Sequence, residues 1–306
     1  MSDKIIPVFD RPLLAQRRAR FAGGFGEHDF LLQRAGEDIL ARLQTVTRRF
    51  PLAVNLGAHH GTLTDMLRQN GQVERVISAD PSLSVLKRCH GARVSCDEET
   101  LPFRTASLDL IASGLSLHLV NDVPGALIQI RHALKPDGLF LGAVLGGQTL
   151  HEMREAMSMA EEEICGGVSP RVAPFGDVRD FGALLQRAGF ALPVTDSDVV
   201  RVTYETPFHL MRELRAMGAS NMLSERRRVP ATRGLLLRAA EIYTKRHGVE
   251  SGRIQATFEI IHMTGWAPDA SQPQPLRPGS AKTRLADALG ATEIRAGEKT
   301  GPTDKI

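Results

Sequence analysis

The residues best suited to chemistry lie in three short loops, each directly after a predicted buried strand. The first loop, residues 57–61, reads GAHHG, the second begins at Asp80, and the third begins at Asp97. A glycine-containing turn lets a ligand approach the backbone, and amides at the start of the next helix face that ligand. An acid about 20 residues further on holds ribose hydroxyls in nucleotide sites, and Asp80 lies 19 residues after Gly61. Together the loops predict a site for a nucleotide-like cofactor, with Asp97 placed to accept from an adenine amino group.

Each of these features also has a plainer interpretation. Asp80 and Asp97 can cap turns or helices, as aspartate often does. The two adjacent histidines of the first loop can be taken as a metal pair, but neighbouring side chains usually point apart. A non-haem iron site needs two histidines and a carboxylate, which only a convergence of His59, His118 and Asp122 would supply. We therefore expect no metal site.

Strands and helices alternate in the hydrophobic pattern between residues 52 and 146. Such alternation is typical of βαβ units around a parallel sheet, whose ligands bind at the carboxyl ends of the strands. The strands are predicted at 52–56, 75–80, 92–97, 108–113 and 139–145, and the helices at 30–46, 61–69, 81–89 and 123–134.

Beyond residue 147 the pattern changes to longer elements and ends in a polar tail. Helices are predicted at 148–163, 177–188, 207–217 and 233–247, an extended pair or one long strand at 191–204, and a last strand at 256–267. From Pro268 onward aromatic residues are absent, which predicts disorder apart from a short helix at 281–289. The predicted domains are an N-terminal lid with the first helix (1–50), a Rossmann-like core (51–147), cap helices with the last strands (148–267), and a disordered tail (268–306).

Composition narrows the function classes. The 306 residues are 42% hydrophobic and 24% charged, which is typical of a soluble globular protein. A formal net charge of +3 is too weak to indicate a nucleic-acid partner. No run approaches the length of a membrane span, so we expect no stable membrane insertion. Three cysteines without a C-x-x-C pair predict reduced thiols and a cytoplasmic location.

The series AVNLGAHHG, ISADPS, CDEETLPF and IRHALKPDGLFLGA resembles class I S-adenosylmethionine-dependent methyltransferases of the type 11 group. The resemblance implies an α/β, Rossmann-like seven-stranded fold with an inserted helical cap after strand five and a last strand antiparallel beside it. It implies S-adenosylmethionine as cofactor, with Asp80 on the ribose, Asp97 on the adenine, and Ser113 near the sulfonium. The implied cofactor-binding residues are Asn55, Gly57, Ala58, His59, Gly61, Asp80, Pro81, Asp97, Glu98, Ser113 and Gly114.

A narrower resemblance covers residues 8–266. The stretches VFDRPLLAQRRARF, GGVSPRVAPFGD, MGASN and TFEIIHMTGW are similar to the mitochondrial complex I assembly factor family and its bacterial relatives. The family implies hydroxylation, rather than methylation, of an arginine on a complex I subunit near the quinone site. It also implies a quinone-module protein as partner.

Two positions depart from the usual first cofactor motif, acid-x-Gly-x-Gly-x-Gly. Asn55 stands in place of the acid and gives no negative charge toward the amino group of a ligand. His59 stands in place of the middle glycine, and its β-carbon narrows the approach and is strained if φ is positive there. We expect cofactor binding to be retained but weakened.

Three functions follow as hypotheses. The first is a cofactor-binding protein that modifies an arginine of a complex I subunit, cytoplasmic in a bacterium or peripheral at the inner membrane. The second is an ordinary methyltransferase of a small molecule or acyl carrier, although the two tyrosines, Tyr204 and Tyr243, lie outside the N-terminal lid. The third is a non-catalytic assembly chaperone with a decayed cofactor loop. The candidate catalytic residues are His118 and Asp122.

Two arginine-rich segments have a structural and a functional interpretation each. The segment DRPLLAQRRAR near the N-terminus either closes over the cofactor as a lid or packs at the surface. The arginines 226–228, with Arg233, either meet an acidic partner or form a solvated loop.

Overall fold

Seven strands form one mixed sheet in the residues that the computed structural model describes, which are 7–273, 283 and 285–290. The first five strands are parallel, and the seventh returns antiparallel beside the fifth, as expected from the resemblance. The order across the sheet is β3-β2-β1-β4-β5-β7-β6. The strands are β1 Phe50–Leu56, β2 Val73–Asp80, β3 Ala92–Ser95, β4 Leu108–Gly114, β5 Leu134–Leu145, β6 Ala191–Tyr204 and β7 Ile254–Trp266.

The helices confirm the predicted pattern and add one at the N-terminus. Asp10 caps the added helix by accepting from the Leu13 amide, and a proline follows in its first turn. The helix predicted from Pro81 is wrong at its start and is short, because the Asp80 side chain holds the Ser82 amide in a turn at 2.9 Å. The helices are α1 Arg11–Phe21, α2 Phe30–Gln44, α3 Thr62–Gln69, α4 Leu83–Leu86, α5 Val123–Ala133, α6 His151–Cys165, α7 Val178–Arg187, α8 Pro207–Ala216, α9 Arg233–His247 and α10 Leu285–Leu289.

Helices cover both faces of the sheet, which explains the unbroken hydrophobic strands. All seven residues of β4 are buried, as expected for a central parallel strand. On one face α5 and α7 contribute Leu127 and Leu185 to the core, and on the other α2 and α3 contribute Ile39 and Leu67. Each such buried side chain contributes about 1.5–3 kcal/mol to stability. This packing fixes the strand ends at which a ligand would bind.

The helical cap has two parts, whereas the sequence predicted one insertion after the fifth strand. Helix α6 follows β5 as expected, but α8 and α9 lie between β6 and β7. The three helices share a buried cluster with β7 that includes Met157, Leu210, Tyr243 and Phe258. The Tyr243 hydroxyl donates to the carbonyl of Gln255 at 2.8 Å, which ties α9 to the sheet.

The described residues up to 269 form one compact unit, and α10 belongs to a second unit. Most of the predicted disordered tail, 268–306, lies outside the described residues, and the division at residues 50 and 147 remains a prediction. Among the described residues no helix has the length and apolar character needed to cross a bilayer. All three cysteines are free thiols.

Candidate functional site

The first cofactor loop is held in an unusual backbone conformation. Gly57, His59 and Gly61 all have positive φ, at 71°, 48° and 103°. Glycine adopts this region at little cost, whereas a residue with a β-carbon does not. The amides of Gly57 and Ala58 both donate to the carbonyl of Ala79, at 2.8 and 2.9 Å, and bind the loop to the end of β2. The strain expected at position 59 is therefore present.

The His59 side chain is part of the loop's structure. Its backbone amide donates to Asp80 at 3.1 Å, and its ring Nε2 lies 3.1 Å from the carbonyl of Gly114. The ring also stacks on Phe25 with the centroids 5.7 Å apart. Because a carbonyl only accepts, Nε2 carries the proton and Nδ1 is the acceptor of the ring. Burial, aided by nearby Arg18, lowers the pKa of His59 to about 3, so the ring is neutral.

The neighbouring histidine, His60, packs against the same Phe25 ring but has different hydrogen-bond partners. His60 Nε2 lies 3.1 Å from Asp29 and 2.8 Å from the Thr62 hydroxyl, at the start of α3. The two rings therefore do not form a metal pair. Within the described ranges, no group of three histidine, cysteine or acidic side chains is arranged to hold a metal ion.

Asp80 is fully buried at the end of β2. Its carboxylate accepts from the amides of His59 and Ser82 and forms an ion pair with Arg18 at 3.1 Å. Burial raises the pKa of Asp80, and Arg18 opposes that effect. The predicted ribose acid thus bonds to an arginine of the protein's own first helix.

Glu98 and Asp97 meet the same helix. Glu98 is buried and contacts both Arg11 and Arg18, as well as the Ser116 hydroxyl. Burial would raise the pKa of Glu98, but the two arginines lower it to about 2. Asp97 forms an ion pair with Arg11 at 2.7 Å and leaves 37% of its side chain exposed. The three acids of the predicted site therefore bind two guanidinium groups of α1.

The arginines of α1 were not among the predicted site residues. Arg11 and Arg18 are seven residues apart, a spacing that places them on one face of a helix. This spacing alone does not distinguish a site from a solvated surface, because a charged N-terminal segment is typical of both. Arg18 is 6% exposed, which excludes the surface interpretation for this residue.

The chain offers polar atoms suited to a cofactor at the strand ends. Among the described residues, Asn55 Oδ1, Ser82 Oγ and Ser113 Oγ are buried without a hydrogen-bond partner. Buried polar atoms normally have hydrogen-bond partners. Three such atoms without a partner, at the ends of β1, β2 and β4, therefore indicate a ligand position. The amide of Asn55 donates to the Thr64 hydroxyl at 3.0 Å, which fixes its free oxygen.

Space at this edge is limited in the present conformation. A β-carbon built on Gly57 would lie 2.2 Å from the Ser116 side chain, so the loop after β4 packs directly on the glycine turn. The residue types and the buried oxygens without hydrogen-bond partners fit S-adenosylmethionine. However, Arg18 covers Asp80, and Ser116 covers Gly57. In this conformation, contacts of α1 and of the loop after β4 occupy the side of these residues that a cofactor would approach.

A cavity of about 280 Å³ adjoins this edge, between α1, the loop after β4 and the cap. His59 and His118 both contribute to its wall, while most of the lining is apolar. Within the described part of the chain, the cavity wall contains one carboxylate, Asp29, and three arginines, Arg18, Arg171 and Arg215. The cavity is suited to the reacting part of a substrate.

The two candidate catalytic residues differ in burial and in hydrogen-bond partners. His118 Nδ1 accepts from the Leu145 amide at 3.4 Å, so its Nε2 carries the proton. Burial, with help from Arg18, lowers the pKa of His118 to about 3 and keeps the ring neutral. Asp122 is exposed and caps α5 by accepting from the Gly125 amide at 2.8 Å. Asp122 caps the helix and does not line the cavity, and a catalytic role for either residue stays a prediction.

The remaining predicted residues act through the backbone. Ala58 is buried against Leu86 and Cys89. Pro81 is half-buried in the turn that leads to α4. Gly114 offers its carbonyl to His59, and a β-carbon there would lie 2.9 Å from Leu32. They shape the edge of the sheet.

Comparisons with known proteins agree with this geometry. The family model described as a methyltransferase domain matches residues 54–142. The mitochondrial arginine-hydroxylase NDUFAF5 of Danio rerio is 39% identical over 92% of this chain and 89% of its own length. The malonyl-[acyl-carrier protein] O-methyltransferase of Xylella fastidiosa is 30% identical over 85% of this chain and 89% of its own length.

Solved structures agree on the fold. A protein of Bacillus halodurans, solved as a candidate methyltransferase, superposes with a TM-score of 0.55 at 14% identity, covering 76% of this chain and all of that one. At this identity the likeness concerns the fold alone, and it confirms the predicted Rossmann-like class I methyltransferase fold.

Proposed function

This chain belongs to the family of the mitochondrial arginine-hydroxylase NDUFAF5, within the methyltransferase superfamily of enzymes, and we propose that it modifies an arginine of a respiratory complex I subunit during assembly. The similarity over about nine-tenths of both chains carries the proposal. The methyltransferase-domain match alone, residues 54–142, would leave the substrate open. The partner is a protein of the quinone module, and the protein acts in the bacterial cytoplasm or at the inner membrane surface.

The proposal includes S-adenosylmethionine as cofactor. Asp80 would hold the ribose hydroxyls, and Asp97 and Glu98 would line the adenine side. The free oxygens of Asn55 and Ser113 would face the methionine portion. S-adenosylmethionine supplies an electrophilic methyl group on a sulfonium centre when it is bound.

The cavity residues assist by binding and by excluding water. Neutral His118 offers a donor from Nε2, and neutral His59 offers an acceptor at Nδ1. A pKa of about 3 makes both imidazoles weak bases at neutral pH. Their role is therefore to orient a substrate group by hydrogen bonds.

Peptide mass spectrometry of complex I subunits tests this proposal. The parent strain is compared with a strain that lacks the gene and with that strain complemented by the wild-type gene. We expect one arginine of a quinone-module subunit to lose, in the deletion strain, the mass of one oxygen atom. That hydroxylation takes one oxygen atom from dioxygen while the other leaves as water with two electrons from an external reductant, neither of which S-adenosylmethionine supplies. Complementation should restore the lost mass.

The other outcomes of the same measurement separate the alternatives. Loss of the mass of one methylene group would show methylation by the same site. An arginine pattern identical in all strains would contradict arginine modification, and impaired complex I assembly in that case would indicate the scaffold role.

A second candidate function, methylation of an acyl carrier, has support from the cavity. Its wall is largely apolar and contains three arginines, a lining suited to an acyl chain with an anionic end. The similarity to the Xylella fastidiosa protein points the same way. Transfer of a labelled methyl group from S-adenosylmethionine to malonyl-acyl carrier protein tests it, and an unlabelled carrier would exclude it.

A further inference from the structure

A groove at the surface carries a concentration of positive charge that the proposed chemistry does not use. It measures about 500 Å³, and we call it the arginine groove. Its walls come from the N-terminus of α1, the loop before α7 and the loop between α8 and α9. The charged residues that line it are Asp10, Arg17, Arg171, Arg226, Arg227 and Arg228.

Most of the positive charge in the groove is not neutralised. Arg226 forms an ion pair with Asp10 at 3.0 Å, and Arg171 pairs with Glu161 at 2.7 Å. Arg227 reaches Glu161 only at 3.9 Å. For Arg17 and Arg228, no carboxylate among the described residues lies within ion-pair distance. Burial lowers the pKa of Arg17, and nearby Arg226 adds to that effect while Asp10 opposes it.

The groove is a formed part of the fold rather than a loose loop. The Asp10 amide donates to the carbonyl of Met222 at 2.9 Å, and the Ser224 amide donates to the carbonyl of Val8 at 2.9 Å. Asn221 donates to the carbonyl of Pro170 at 2.7 Å. These two backbone contacts and the side-chain contact of Asn221 join the cap to the N-terminus and hold the arginines on both sides of the groove.

The arginine groove adjoins the cavity beside the cofactor edge. Arg171 and Asn221 line both spaces. At the outer end of the groove, Val229 is 63% exposed and Pro230 is also exposed, which offers apolar contact beside the charges. A chain lying in the groove would therefore pass close to the mouth of the cavity.

We propose that the arginine groove binds an acidic, extended segment of the protein whose arginine enters the cavity. The inference rests on the proposed function and adds the chemistry by which the partner is recognised. Complementary charge across an interface guides encounter and fixes register. A concave groove with an apolar lip suits a peptide chain better than a membrane surface, so we commit to the acidic peptide.

Peptide binding measured by fluorescence anisotropy tests this inference. The probe is a labelled peptide with a central arginine flanked by aspartate and glutamate, compared with the same peptide carrying asparagine and glutamine. We expect the acidic peptide to bind at least about tenfold more tightly at low salt, and added salt to remove the difference.

A pair of matched variants locates the binding. Reversing the groove charges with Arg227→Glu and Arg228→Glu should weaken acidic-peptide binding about tenfold or more. The control carries Arg75→Glu and Arg104→Glu, which make the same charge change at exposed positions away from the groove. The control should bind like the wild type.

Three results would overturn the inference: equal binding of both peptides, equal loss in both double variants, or displacement of the peptide by phosphatidylglycerol vesicles that bind the same arginines. Calorimetry with S-adenosylmethionine on the groove variant keeps the two proposals apart. An unchanged cofactor affinity shows that the fold and the cofactor site persist. Peptide binding without any cofactor binding would contradict the proposed function but would still support the arginine groove as a peptide-binding site.

Discussion

At the scale of single residues, His59 has the most unusual position in the site. Its φ of 48° is one that glycine prefers, and its ring fills space beside Gly114. The residue that departs from the usual cofactor motif is therefore also a strained and tightly packed one. Its effect on the cofactor can be measured directly.

Replacing His59 with glycine should strengthen S-adenosylmethionine binding roughly fivefold to tenfold. The change removes a β-carbon from the side on which the ligand would approach the loop, and the wider approach accounts for the gain, since backbone strain already present without ligand affects the stability of the fold instead. The matched control is His59→Ala, which removes the ring but keeps the β-carbon. Calorimetry should rank the glycine variant tightest, and weaker binding by the glycine variant would show that His59 contacts the cofactor.

His118 should make stability depend on pH. Its pKa is about 3 in the folded protein and about 6.5 in the unfolded chain. The folded state binds fewer protons in this range, so stability is complete above pH 6.5 and falls as the pH drops toward 3. Each unit of such a shift corresponds to about 1.4 kcal/mol, so the effect is on the order of several kcal/mol.

Urea unfolding between pH 6.5 and 5.5 measures this dependence, above the pH at which Glu98 of the unfolded chain takes up most of its proton. The variant His118→Gln keeps an acceptor for Leu145 but does not titrate. It should lose part of the slope, and the other histidines whose pKa burial lowers, His59, His60 and His262, should supply the remainder. An unchanged slope would mean that His118 is not held neutral by burial.

At the scale of elements, the sheet was predictable and the first helix was not. Apolar runs and their turns identified the central strands because both faces of a parallel sheet are buried there, as in β4, all of whose residues are buried. The acids Asp80 and Asp97 were recognised because they end strands. The partners of these acids were not recognised, because Arg11 and Arg18 are far from them in sequence and only tertiary packing brings them together.

Helix α1 should compete with the cofactor. Replacing Arg18 with alanine removes the group that covers Asp80, and S-adenosylmethionine affinity should rise about tenfold or more. The same change leaves buried carboxylates without their partner and should lower the free energy of unfolding by about 3–5 kcal/mol. If Arg18 only stabilised the fold, its replacement would lower both the S-adenosylmethionine affinity and the free energy of unfolding.

Arg20→Ala is the matched control, since Arg20 is an exposed arginine of the same helix. It should change neither cofactor affinity nor stability appreciably. In the wild-type protein, hydrogen exchange of the amides in 11–21 should become faster when S-adenosylmethionine is added. Slower exchange would mean that α1 closes over the cofactor as a lid instead of competing with it.

At the scale of the whole molecule, three spaces follow one another. The strand ends offer Asp80 and buried oxygens without hydrogen-bond partners, the cavity adjoins them, and the arginine groove lies next to the cavity and shares Arg171 and Asn221 with it. The fold explains this order, because the N-terminus and the two-part cap meet above the carboxyl ends of the strands. The cap's division between two insertions was not predictable from periodicity, which gives the type of each helix but not its place around the sheet.

The central claim is that the irregular loop still forms part of a cofactor site, and calorimetry with S-adenosylmethionine tests it most directly. We expect one binding site on the wild-type protein and loss of binding in Asp80→Ala, because that change removes the predicted ribose acceptor. The variant Asp122→Ala, at an exposed helix cap, is the control and should bind like the wild type. No heat at millimolar ligand for the wild type, or equal binding by Asp80→Ala, would contradict the account.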